Sequence, residues 1–215
     1  MGIFQIRFLI FLSILCLVFS CNQYRHLRKI QTDSSCLQKL KPDFSHTMYK
    51  TAVDVLGKHI SGILLIKSMP DSSTRIVFSN EMGFSFFDFG FGPDTGFHVY
   101  QITPQMNKNG LIKTLRKDFE LLLFKNMDYK NSYVLTDSNR LYHAFPQSQG
   151  INYYITDMPC THLMGMQRAS STKPVMDVTI DSKSQDNPPD SLFIRHYIKI
   201  NFTISLKKLS ALAAQ

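Results

Sequence analysis

Residues 193–206 alternate without a break. Ile194, His196, Ile198, Ile200, Phe202, Ile204 and Leu206 take one face, and Phe193, Arg195, Tyr197, Lys199, Asn201, Thr203 and Ser205 take the other. Side chains repeat every two residues along a strand and every 3.6 along a helix, so this period predicts one long strand with a greasy face and a wet one. Sheets with one wetted face are antiparallel ones packed over a single core. His196 stands in the greasy row and reads as a hydrogen-bonded or edge histidine rather than a ligand.

The same period recurs upstream. Residues 49–56 and 58–68 flank Gly57, and in the second run Ile60, Gly62, Leu64 and Ile66 share one face opposite His59, Ser61 and Lys67. Pro70-Asp71-Ser72-Ser73 has turn chemistry. Strands are expected at 75–79, 84–91 and 97–103, linked by Asn80-Glu81-Met82-Gly83 and by residues 92–96, which makes a meander. Within it Phe84 and Phe86 point to one face and Phe87, Phe89 and Phe91 to the other. A strand apolar on both faces asks for cover on both sides. Residues 108–125 then change period: Leu111, Ile112, Leu115, Phe119, Leu122 and Leu123 recur at helical spacing. Further strands are expected at 132–136, 141–145, 151–156, 161–168 and 173–180, before a proline-containing loop at 185–190.

The first residues carry a different message. After Arg7 comes an apolar run at 8–19, too short for the roughly 20 residues of a spanning helix but fitting the core of an export signal. Val18-Phe19-Ser20-Cys21 resembles the lipobox of bacterial lipoproteins, with small Ser20 before the acceptor thiol and aliphatic Val18 three positions ahead of it. Residues 1–20 are expected to be a signal peptide and Cys21 the lipid attachment site; an ordinary cleaved signal is the alternative. A diacylglyceryl group plus a palmitate-type acyl chain would bury three chains at about 0.8 kcal/mol per CH₂, an effectively permanent anchor. Residues 21–46, polar and basic with a short helix near 35–40, read as an acylated tether, and 47–215 as one domain.

Lys and Arg number 24 against 16 Asp and Glu, a net charge of +8. The basic residues are scattered, so no nucleic-acid partner is expected. Arg25-His26-Leu27-Arg28-Lys29 is the exception; it suits either anionic headgroups, at about 1 kcal/mol per charge near the surface, or a solvated tether. No acidic run follows Cys21, which favours the periplasmic face. Cys36 and Cys160 can form one disulfide in an oxidising compartment, and sequence leaves their pairing open.

Catalytic motifs are missing. There is no His-Glu-x-x-His, phosphate loop or dinucleotide fingerprint, and Gly83-Phe84-Ser85-Phe86-Phe87 lacks the last glycine of a nucleophile elbow. No catalytic residue, cofactor or enzyme activity is expected. Cys160-Thr161-His162 offers two metal ligands without a second pair, so no metal site is expected either.

The element order resembles the LolA/LolB family of periplasmic lipoprotein carriers and receptors. The resemblance rests on Gly62-Ile63-Leu64-Leu65-Ile66, the aromatic meander and residues 111–124 following it. It implies an α+β fold, a curved antiparallel half-barrel covered by helices that enclose an apolar cavity for acyl chains. On that basis Leu64, Ile66, Phe78, Phe84, Phe86, Phe87, Phe89, Leu115, Phe119 and Leu122 are the hydrophobic ligand-binding candidates. Phe91, beside Gly92-Pro93, is the candidate membrane-contacting tip. The implied protein is a monomer anchored in the outer membrane, facing the periplasm, whose partners are membrane lipid and acyl chains or lipidated cargo. The alternative is an assembly accessory lipoprotein working through protein contacts.

Overall fold

In the computed structural model the described residues are 23–55, 57–93, 96–181, 187–197 and 201–210. The signal segment and Cys21 lie outside them. The described residues form thirteen strands: β1 (Arg28–Ile30), β2 (His46–Val55), β3 (Lys58–Ser68), β4 (Thr74–Ser79), β5 (Ser85–Phe91), β6 (Phe97–Ile102), β7 (Tyr133–Thr136), β8 (Arg140–Pro146), β9 (Ile151–Asp157), β10 (Leu163–Ala169), β11 (Pro174–Asp181), β12 (Ser191–Tyr197) and β13 (Asn201–Lys208). Among the described residues the helices are α1 (Leu37–Leu40) and α2 (Asn109–Leu122).

All strands join one open sheet in the order β1-β7-β8-β9-β10-β11-β12-β13-β2-β3-β4-β5-β6, every pairing antiparallel. Two meanders, β2 to β6 and β7 to β13, meet where β13 pairs with β2. This order dictates where the helix goes. The chain leaves β6 at one edge and re-enters at β7 near the other, so the link must cross the whole sheet. α2 lies in that link and buries Leu115, Phe119, Leu121 and Leu122 in the core that also holds Leu64, Ile66, Phe89, Ile194 and Ile204.

Three expectations change. Residues 193–206 are two strands of a hairpin, not one strand: Ile194 lies opposite Ile204 and His196 opposite Phe202. Three residues separate Tyr197 from Asn201, and an odd link leaves the parity of alternation intact across a chain reversal. The pattern therefore looked continuous. The sheet is also not covered by helices: among the described residues one 14-residue helix and one four-residue helix serve all thirteen strands. Last, residues 23–46 are built into the domain rather than forming a tether. Tyr24 stacks on Tyr153 at 5.1 Å, and Tyr24 and Leu27 pack against the outer face of β8 to β10. The chain then adds β1 to the edge at β7 and turns inward, where Leu37 is fully buried. Cys36 and Cys160 fasten this wrap by a disulfide with a Cα–Cα distance of 6.2 Å.

Candidate functional site

The inner face of the sheet is aromatic around β5, which carries Phe87, Phe89 and Phe91 at every second residue, with Phe78 of β4 and Phe97 of β6 beside them. Eight of the ten ligand-binding candidates (Leu64, Ile66, Phe78, Phe87, Phe89, Leu115, Phe119 and Leu122) are buried together in the core around α2. Phe87 stacks on Phe89 at 4.4 Å and meets Phe119 of α2 at 5.9 Å. The other two sit differently. Between the Phe78–Phe87 and Ser79–Ser85 pairs the register advances one residue on β4 and two on β5, so Phe86 is the extra residue of a bulge. It is half-buried and stacks on Phe78 at 5.0 Å. Phe84 precedes β5 and is 56% exposed.

A second bulge, with Tyr100 as the extra residue of β6, explains the far side of β5. The Tyr100 ring lies where a Cβ on Gly90 would be, at 2.6 Å. The Arg75 guanidinium stacks over that ring at 3.7 Å and pairs with Asp88. Beyond the half-buried Phe86, this face of β5 is closed by one ring and one ion pair, not by a second apolar layer. Phe91 is also inside: it is 2% exposed and packs against Phe97 and Phe119 at 5.2 and 6.1 Å. The exposed apolar tip is the β4–β5 turn, where Met82 is 93% exposed beside Phe84. Asn80 Oδ1 accepts the N–H groups of Met82 and Phe84 at 3.0 and 2.8 Å, and Gly83 takes the positive φ the turn needs.

One polar cluster lies within this core. Asp118 of α2 is buried; its Oδ2 is 2.7 Å from His196 Nε2, and its Oδ1 is 3.0 Å from the Arg168 guanidinium, an ion contact rather than an aligned hydrogen bond. His196 Nδ1 faces the Phe202 carbonyl at 3.3 Å, and the two rings stack at 4.2 Å. These residues hold α2 to β10 and β12. Sequence reasoning left Asp118 unread, although the signal was there. It falls between Leu115 and Leu122 on the apolar stripe, and a carboxylate in such a row requires a partner.

A second cluster lies under the N-terminal wrap. His143 of β8 is fully buried, with Nδ1 3.0 Å from Ser34 Oγ, and Nε2 3.2 Å from Thr156 Oγ1 and 3.6 Å from Cys160 Sγ. Burial pushes its pKa down from 6.5 to about 4. His162, the histidine nearest Cys160 in sequence, instead caps the turn with Asp157 at 2.9 Å. Burial opposes the charge on Asp157, but donors from Thr161 and His162 hold its carboxyl well below the usual range.

The outer face of the central strands carries a shallow trough of about 630 Å³ lined by Lys50, Ser61, Thr179, Phe193, Ser205 and Lys207 among others. Lys50 and Lys207 lie directly opposite each other across β2 and β13. Among the described residues no helix is long and apolar enough to cross a membrane.

The sequence matches no protein-family model and no curated protein. Solved structures similar to the chain include the LolA superfamily protein NE2245 from Nitrosomonas europaea, at 9% identity and a TM-score of 0.46, covering 84% of this chain and 93% of that one. A DUF1329 family protein from Desulfovibrio piger is similar at 7% identity and a TM-score of 0.41, covering 81% of this chain and 87% of that one. The likeness is one of overall architecture, and the functional reading rests on the residues themselves.

Proposed function

We propose that the chain binds an acyl chain or a comparable apolar ligand on the concave aromatic face, with α2 as the element that yields. The carrying observation is that one 14-residue amphipathic helix covers the inward Phe row of an open sheet. Its polar fastenings lie away from that row: Asp118 pairs with Arg168 of β10 and His196 of β12, and the Tyr154 hydroxyl of β9 donates to the Leu121 carbonyl. Apolar contact is worth about 25 cal/mol per Å², so an acyl chain can replace helix contacts without any catalytic group. The chain acts as a monomer and without a cofactor. In this reading Cys21 carries the lipid anchor, the protein faces the periplasm from the outer membrane, and the cargo is a lipid or lipidated protein. Met82 and Phe84, rather than Phe91, form the tip that enters the bilayer surface.

A second reading, an assembly accessory working through protein contacts, is favoured by the outer trough. Native mass spectrometry of protein purified from its own membranes separates the two. A co-purifying lipid released on denaturation supports the carrier. Lipid-free chains that retain an envelope protein support the accessory.

A further inference from the structure

The Cys36, Cys160 and His143 cluster does more than one staple requires. A disulfide needs two sulfurs, yet here a buried imidazole is aimed at the pair, and the three ligand atoms all lie within 4.8 Å of one another. A tetrahedral ion with Zn–S of about 2.3 Å and Zn–N of about 2.0–2.1 Å places sulfur and nitrogen roughly 3.6 Å apart. His143 Nε2 is 3.6 Å from Cys160 Sγ. The outer partner is also in place. A histidine ligating through Nε2 normally donates its other N–H to a fixed acceptor, and Nδ1 of His143 is 3.0 Å from the oxygen of Ser34, itself 1% exposed.

We propose that this cluster is a redox-gated site for a thiophilic divalent cation, Zn²⁺ in the first instance. The site is a disulfide when oxidised and a two-thiolate, one-imidazole metal site when reduced. A dithiol reductant supplies two electrons and two protons: the Cys36–Cys160 bond breaks, both sulfurs become thiols, and the reductant becomes a disulfide. Zn²⁺ then displaces one proton from each thiol and takes the His143 Nε2 lone pair, Nδ1–H donating to Ser34 Oγ; water completes four-coordination. Opening the sulfurs to the roughly 3.8 Å of a tetrahedral site needs only side-chain rotation at two part-exposed residues. Either state ties the N-terminal wrap to the β9–β10 turn; only the reduced, metal-free chain loses that tie.

The test uses the full chain in detergent, oxidised or reduced with a phosphine, titrated with Zn²⁺ against a chromophoric indicator. Co²⁺ serves as the spectroscopic probe. The expected result is one Zn²⁺ per reduced chain, none in the oxidised chain, and a thiolate-to-cobalt charge-transfer band lost in the Cys36→Ser/Cys160→Ser variant. Ser34→Ala should weaken Zn²⁺ binding by about tenfold while leaving the disulfide able to form. Uptake by the reduced chain no greater than that of the double serine variant overturns the proposal, as does equal uptake by the oxidised chain. Circular dichroism covers the case in which reduction unfolds the chain. Refolding on Zn²⁺ addition supports the site, and failure to refold overturns it.

Discussion

The two meanders treat their faces in opposite ways. Strands β7 to β10 are covered twice, on the inner side by the core and α1 and on the outer side by Tyr24 and Leu27, and a disulfide closes the wrap. Strands β3 to β6 have a core on the inner side only; their other side carries Arg75, Asp88 and Tyr100 and ends in the exposed Met82–Phe84 turn. One half is fastened by covalent and polar links, the other mostly by side-chain packing against α2. Apolar packing is non-directional and can be exchanged for another apolar partner, whereas a disulfide or buried ion pair cannot. In the proposed function the β7–β10 half is therefore the rigid one, and the aromatic half is the one that takes the ligand.

The link between the halves is the first place to break it. Asp118→Ala leaves Arg168 and His196 without their buried carboxylate and should cost about 3–5 kcal/mol of stability, read by urea unfolding, with α2 amides exchanging faster than those of β8 and β9. Equal loss of protection in both halves would contradict the division. Next, Cys36→Ser/Cys160→Ser should lower stability by about 2–5 kcal/mol and expose residues 31–45 to protease before the aromatic meander is cut.

A smaller effect comes from pH. Burial holds the His143 pKa near 4 against an ordinary 6.5, so the unfolded chain takes up a proton first as pH falls. Stability is complete above about 6.5 and declines by up to about 3 kcal/mol as pH drops towards 4. His143→Gln should flatten that dependence of the urea midpoint. The smallest effect on folding belongs to the tip: Met82→Ser/Phe84→Ser should shift stability by no more than about 0.5 kcal/mol. In a Cys21→Ser background the same pair should reduce sedimentation with phospholipid vesicles several-fold.

Much of this was legible in the sequence, for a physical reason. Period-two alternation marks strands, and turn residues mark their ends, so the runs around Leu64, Phe89 and Tyr154 were readable, as was α2. What escaped were features that depend on distant parts of the chain. β1 has only three residues inside a basic run and exists because β7 offers an edge. The β12–β13 reversal hid behind an odd-numbered link. Cys36, His143 and Cys160 meet only because the wrap folds around that edge, and the sequence neighbour His162 drew attention to the wrong histidine. Around β5 the aromatic run was visible, but the bulges that turn Phe86 aside and bring Tyr100 over Gly90 are set by register.

The proposed exchange of α2 for an apolar ligand is tested most directly with a single reporter. The chain contains no tryptophan, so Phe119→Trp places one indole on α2 against Phe87 and Phe91. Adding a long-chain fatty acid to saturation should shift its emission to the red as the helix leaves the aromatic face, with a saturable, one-site dependence. Emission unchanged at saturating fatty acid, in a variant whose urea unfolding matches the parent, would contradict ligand binding on this face.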